Sequence, residues 1–227
     1  MKLLGIDTST SSTVLGLKLG ERVLERTFAA SEMHSREILP AIQSLLIDAG
    51  LSLRELDALV FGQGPGSFTG LRIAIGVVQG LGYGLNIPAV PVSSMACIAQ
   101  SAFSLKPPPL VFVGVTAREE EIYYGAYRFE KKIAVPLIAE RVGNVAELPR
   151  LTEGRWVGYG NAMSELKGKI QKVTGVSFDR VSNDSIPSVQ HLLALGSSKF
   201  SMGESINPMK AMPVYLRKDV VYLPVKS

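Results

Sequence analysis

Few residues in this chain have the type and spacing to do chemistry. Asp7 closes the apolar run Leu3–Ile6 and is followed by five hydroxyl residues, Thr8 to Ser12. A carboxylate at a strand end ahead of such a turn can hold Mg²⁺ or a nucleophilic water in phosphoryl transfer. The plainer alternative is an Asp-initiated turn with local side-chain hydrogen bonds. No glycine between Thr8 and Ser12 admits a phosphate to the backbone, so the loop reads as a vestige. The second candidate is Gly62-Gln63-Gly64-Pro65-Gly66, between an apolar run and a helix opening at Ser67. It lacks the Gly-x-Gly-x-x-Gly order of a dinucleotide fingerprint and the Gly-Lys-Ser/Thr of a P-loop. Free amides and the dipole at the start of that helix would favour an anion, but a structural turn is the stronger reading. His34 and His191 form no metal-spaced pair. His34-Ser35-Arg36 reads as a helix start and surface contact, Cys97 as core filler among Met95, Ala96 and Ile98, and no Ser-His-Asp triad assembles.

The elements that must position these residues centre on Ala58 to Val92. A short strand (Ala58–Phe61) leaves through the glycine-proline loop, Ser67 caps a helix, and a second strand follows near Ala89. Gly76, Gly80 and Gly84 recur every fourth residue on that helix. Each glycine costs about 1 kcal/mol relative to alanine, so the stripe calls for close approach of another backbone, within the fold or on a partner. Arg72 is the one charged residue between Gly62 and Lys106, which marks the segment as buried somewhere.

Taken in order, the pattern predicts strands at Leu3–Asp7, Val14–Leu19 and Val23–Phe28, then a helix over 35–49 striped by Ile38, Leu39, Ile42, Leu45, Leu46 and Ala49. The Ala58 strand, the glycine helix, the Ala89–Val92 strand and a helix capped at Ser93 or Ser94 complete a first half. Lys106-Pro107-Pro108-Pro109 breaks the chain, dividing 1–106 from 107–227, whose last segment is expected to pack back on the first half. The second half repeats the plan more loosely. Strands fall at Leu110–Val115, Ile122–Phe129, Ile133–Ile138 (at an edge, because of Pro136), Trp156–Val157 and Val176–Phe178. A helical turn falls near Val145, and helices follow Asn161 and Pro187.

With 227 residues, 46% hydrophobic and 19% charged, the composition is that of a packed globular protein, and one cysteine excludes an internal disulfide. A net charge of +4 with scattered Lys and Arg reads as a solvated surface and argues against a nucleic-acid patch. Asp7 ends the first apolar run too early for a signal peptide, and the glycine helix is too short and too polar to span a membrane. The reading is a soluble, cytoplasmic protein.

Ile6-Asp7-Thr8-Ser9-Thr10, His34-Ser35-Arg36, Phe61-Gly62 with Gly64-Pro65-Gly66-Ser67-Phe68-Thr69-Gly70-Leu71-Arg72-Ile73, and Pro213-Val214-Tyr215-Leu216-Arg217 resemble the bacterial TsaB (YeaZ) family, in order along the whole chain. The resemblance implies an α/β, actin-like ATPase (ribonuclease-H-like) fold of two βββαβαβα halves. It further implies a non-catalytic partner of TsaD, joined by the ATPase TsaE, in making N6-threonylcarbamoyladenosine beside the tRNA anticodon. TsaD carries a metal-binding His-x-x-x-His whose positions fall here on Ser94 and Ile98, and neither side chain replaces an imidazole. The family's Asp-Ala-Arg in the second phosphate loop is Thr116-Ala117-Arg118 here. Asp7, Thr8, Ser9, Gly158 and Gly160 are then vestigial nucleotide-binding positions. No metal or cofactor is expected, with room only for weak ATP or ADP binding at a subunit interface. The partner face implied is His34, Ser35, Ile42, Leu46, Arg72, Gly76, Gly80 and Gly84, pairing with TsaD or, when TsaD is absent, with a second copy. Transfer RNA is met only through the complex, and no membrane is involved. The competing class is an enzyme of the same fold, an ATP-dependent phosphotransferase or a metallopeptidase.

Overall fold

The computed structural model describes residues 1–29, 37–107, 109–118 and 121–217. Strand β1 (Lys2–Asp7) is buried from Leu3 onward, as the central strand of a covered sheet must be. β2 (Ser12–Leu19) and β3 (Arg22–Ala29) return antiparallel on one side of it, while β4 (Ala58–Gly62) and β5 (Ala89–Val92) add in parallel on the other. The order is β3-β2-β1-β4-β5. The second sheet contains β6 (Leu110–Arg118), β7 (Glu121–Glu130), β8 (Ile133–Asn144), β9 (Trp156–Tyr159) and β10 (Phe178–Ser182), ordered β8-β7-β6-β9-β10. Each sheet therefore starts at its centre, folds two antiparallel strands to one side and adds two parallel strands to the other. This repeated topology is the actin-like, ribonuclease-H-like fold.

The helices are α1 (Ile38–Ala49), α2 (Phe68–Leu85), α3 (Ser94–Gln100), α4 (Ala162–Thr174) and α5 (Val189–Ser201). Between β8 and β9 the second half has a single 3-10 turn, Val145–Glu147, where the first half has α1. The strand expected at Val176–Phe178 instead begins at Phe178. Its middle residues Asp179 and Arg180 are exposed, so it is an edge strand held by backbone pairing to β9, without an apolar pattern to reveal it.

α1 and α2 cover the outer face of the first sheet, with Ile42, Leu45, Ala74 and Val78 against Leu4, Leu59 and Phe61. The inner face is covered by α5, which comes from the second half: Val189, Leu192 and Leu193 meet Leu3, Val60 and Val90. Reciprocally, α3 leaves the first sheet and packs Met95, Ile98 and Ala99 against Val111, Val113 and Tyr127 of the second. α4 covers that sheet's outer face. After α5 the chain returns along α2. Ile206 bridges to Ala89, Pro208 fills the space beside Gly82, Gln79 Nε2 donates to the Ala211 carbonyl, and the Val214 amide donates to the Gln63 carbonyl. Among the described residues, no helix is long and apolar enough to cross a membrane.

Candidate functional site

A cleft of about 390 Å³ opens where the two halves meet, lined by Ser9, Thr10, Ser11, Gly66, Ser67, Ser94, Ile98, Thr116, Tyr123 and Asn161 among others. Asp7 lies behind one wall, 1% exposed at the end of β1. Its Oδ1 accepts the Ser9 amide at 2.7 Å and its Oδ2 the Ser94 hydroxyl at 3.0 Å. Burial pushes this carboxyl above the ordinary range, and the groups of Ser9 and Ser94 pull it back. The Ser9 hydroxyl lies close enough to favour the charge, but it meets no acceptor in hydrogen-bonding geometry. A Cβ at Gly62 would overlap the Asp7 carboxylate, which is why the strand beside Asp7 ends in glycine.

The loop after Asp7 is fastened to the start of α2. Thr8 Oγ1 donates to the Gly70 carbonyl at 2.6 Å, and the Ser67 amide donates to the Ser9 carbonyl at 2.7 Å. Ser67 Oγ caps the helix by accepting the Gly70 amide. Two of the amides that would greet an anion therefore already have partners. On the opposite wall the Thr116 amide donates to Asn161 Oδ1 at 2.9 Å. Of the two glycines expected to face adenosine, Gly158 packs against Met163, and Gly160, at φ +106°, packs against the Gly114 carbonyl. Neither is among the residues that line the cleft, nor are Asp7 and Thr8; of these five positions Ser9 alone is. Among the described residues, no Lys, Arg, Asp or Glu lines the cleft.

The outer face of α2 offers a different kind of site. A Cβ added at Gly76, Gly80 or Gly84 would meet nothing within 4 Å, so no other part of the described chain covers the stripe. Arg72 is exposed, with its guanidinium 3.5 Å above the Phe68 ring. At about 100° per residue, the stripe lies between the side of α2 facing α1 and the side carrying the returning segment. Exposed apolar side chains flank it: Leu39 and Ile47 on α1, and Tyr83 on α2 itself, 76% exposed. Ile42 and Leu46 are corrected as anchors. At 2% and 3% exposure they spend their side chains on the chain's own core. His34 and Ser35 lie outside the described residues.

Comparison with known proteins adds to this geometry. The family model described as TsaD, tRNA N6-adenosine threonylcarbamoyltransferase, matches residues 28–198. The tRNA threonylcarbamoyladenosine biosynthesis protein TsaB of Escherichia coli strain K12 is 32% identical over 98% of this chain and 97% of its own. The chain belongs to the TsaB (YeaZ) family. The protein of that name from Haemophilus influenzae is 29% identical over 98% of this chain and 96% of its own. The structure of YeaZ from Pseudomonas aeruginosa superposes with a TM-score of 0.85 at 31% identity, over 95% of this chain and 99% of that one. Within the TsaB (YeaZ) frame, Ser94 and Ile98 both line the cleft. The first gives its hydroxyl to Asp7 and the second is 3% exposed in the core, so neither supplies a metal donor there. Among the described residues no three His, Cys, Asp or Glu side chains gather as a metal site.

The carboxylate that the Ser93 cap meets escaped the sequence reading. Ser93 caps α3, accepting the Met95 and Ala96 amides at 3.1 Å each, and gives its own proton to Glu140 Oε1. The same carboxylate oxygen accepts the Tyr127 hydroxyl at 2.7 Å. The serine pair ahead of a helix was visible as a cap, but nothing in the sequence around Glu140 marks its burial.

Proposed function

We propose that this chain is a non-catalytic subunit in the N6-threonylcarbamoyladenosine modification of tRNA, pairing with TsaD and recruiting TsaE, in the cytoplasm. Full-length similarity at 32% identity to a protein named for threonylcarbamoyladenosine biosynthesis carries the pathway assignment. The uncovered glycine stripe supports the pairing. With no side chain at Gly76, Gly80 and Gly84, a partner's helix can approach the α2 backbone closely, with Arg72, Leu39, Ile47 and Tyr83 as the contacts around it. Alone, the same face pairs with a second copy. The cleft's own chemistry supports the non-catalytic part of the reading: among the described residues a polyphosphate would meet hydroxyls and already-bonded amides and no cationic side chain. The chain works without a cofactor of its own, any ATP or ADP binding weakly at a subunit interface, and it meets tRNA only through the complex.

The test is size-exclusion chromatography with light scattering on the chain alone and mixed with TsaD of the same organism. A homodimer that gives way to a one-to-one heterodimer is the expected result. A chain that ignores TsaD, or that turns over nucleotide or peptide by itself, overturns the proposal in favour of an enzyme.

A further inference from the structure

The neighbouring serines at the start of α3 face two carboxylates, the buried Asp7 of the first half and the half-buried Glu140 of the second. Ser94 Oγ donates to Asp7 Oδ2 on β1 at 3.0 Å, and Ser93 Oγ donates to Glu140 Oε1 on β8. This is where the chain leaves the first sheet to cross to the second, so a change in the angle between the halves strains it, together with the packing of α5 on the first sheet. Both hydroxyls of the serine pair are engaged. Ser93 Oγ also accepts the Met95 and Ala96 amides, and the Ser94 amide donates to the Gly64 carbonyl in the glycine-proline loop at 3.0 Å. Glu140 is held from three sides, by Ser93, by the fully buried Tyr127 and by the field of Lys199, whose Nζ donates to the Pro91 carbonyl two residues before Ser93. Rotating α3 away would take the Ser94 hydroxyl from Asp7, leaving it the Ser9 amide, and the Ser93 hydroxyl from Glu140, leaving it the Tyr127 hydroxyl, and a hydrogen bond to a charged, desolvated group is among the costlier ones to lose.

We propose that Ser93 and Ser94 form a latch between the halves, each serine pinning one carboxylate, so that the cleft keeps a fixed width and the molecule presents α1 and α2 as one rigid body. The inference concerns the chain's own mechanics and holds whichever partner the outer face takes.

The experiment places spin labels at two exposed sites, one in each half, through Glu21→Cys and Glu153→Cys, with Cys97 buried and out of reach. Their separation is then read by double electron–electron resonance. One narrow distance distribution is expected with both serines present. Ser93→Ala with Ser94→Ala should broaden it or add a second population, whereas Glu140→Gln should keep it narrow, because the amide oxygen accepts the same two hydrogen bonds. A folded double variant with an unchanged narrow distribution overturns the latch. Should the double variant fail to fold, each single serine variant is followed by amide hydrogen exchange across Ser94–Gln100. A hydrogen bond to a charged group is worth on the order of one decade in an equilibrium, so exchange about tenfold faster is expected, and unchanged exchange in both single variants overturns the proposal.

Discussion

At the scale of single residues, the half-buried carboxyl of Glu140 contributes to how this protein responds to pH. Glu140 is desolvated on β8, which raises its pKa; the Ser93 and Tyr127 hydroxyls and the Lys199 ammonium oppose that rise without cancelling it. The buried Cys97 thiol, itself pushed up by burial, lies within the field of both Glu140 and Asp7 and stays neutral. A carboxyl whose pKa is higher folded than unfolded binds its proton more tightly in the native state. Its contribution to stability therefore falls as pH rises through the window between the ordinary and the raised value, and returns as pH falls back through it. Glu140→Gln removes that dependence. Its melting temperature relative to the unsubstituted chain should be higher at about pH 8 than at about pH 5.5, each kcal/mol corresponding to about 2–4 °C in a chain of this size. A gap that does not change with pH would show that Glu140 does not titrate differently on folding. Asp7 was legible in the sequence because it ends an apolar run and precedes a row of hydroxyls. Glu140 was not, because its strand alternates buried and exposed residues irregularly and its partners come from β7 and from the start of α3, 13 and 47 residues away.

At the scale of elements, α2 makes the clearest distinction between what is buried and what is merely uncharged. Its glycine stripe was legible from a four-residue spacing, but the sequence left open whether the covering backbone came from the same chain. The close approaches inside the fold are at Gly70, against the Thr8 carbonyl, and at Gly82, against Pro208, and the stripe itself stands open. Gly80→Leu then separates two effects. In the isolated chain a leucine finds free space, and replacing glycine by a good helix former should stabilise α2 by up to about 1 kcal/mol. In a complex the same side chain holds the partner's backbone away, so pairing with TsaD or a second copy should weaken by at least about tenfold, an energy near 1.4 kcal/mol. Thermal unfolding of the monomer and light scattering of the mixture read the two independently. A variant that pairs with unchanged affinity would move the interface off α2. The same reasoning shows why Ile42 and Leu46 misled: a helical stripe of apolar residues reports a buried face, and here their burial is against the chain's own sheet while Leu39 and Ile47 point outward.

At the scale of the whole molecule, the two halves do not each contain their own core. The succession of strands and helices along the chain followed from its apolar pattern, and how the strands order within each sheet came with the family resemblance. What no local pattern reveals is the exchange of final helices, since an apolar stripe on a helix does not say which sheet it covers. A polypeptide of residues 1–106 would keep β1 to β5 and α1 to α3, yet it would expose Leu3, Val60 and Val90 where α5 lies, and the apolar face of α3 where the second sheet lies. Fully burying one such aliphatic side chain is worth about 1.5–3 kcal/mol, so a few of them together match the entire stability of an ordinary domain, about 5–15 kcal/mol. The fragment should therefore fail to give a cooperative unfolding transition and should bind a hydrophobic dye in the cold. Adding a peptide of residues 187–201, which supplies Val189, Leu192 and Leu193, should restore part of its protection against hydrogen exchange, centred on β1 and β4. A fragment that melts cooperatively on its own would mean that the inner face of the first sheet needs no cover from α5. The chain would then be two folding units joined at the Lys106–Pro107 break, not one unit bound by exchanged helices.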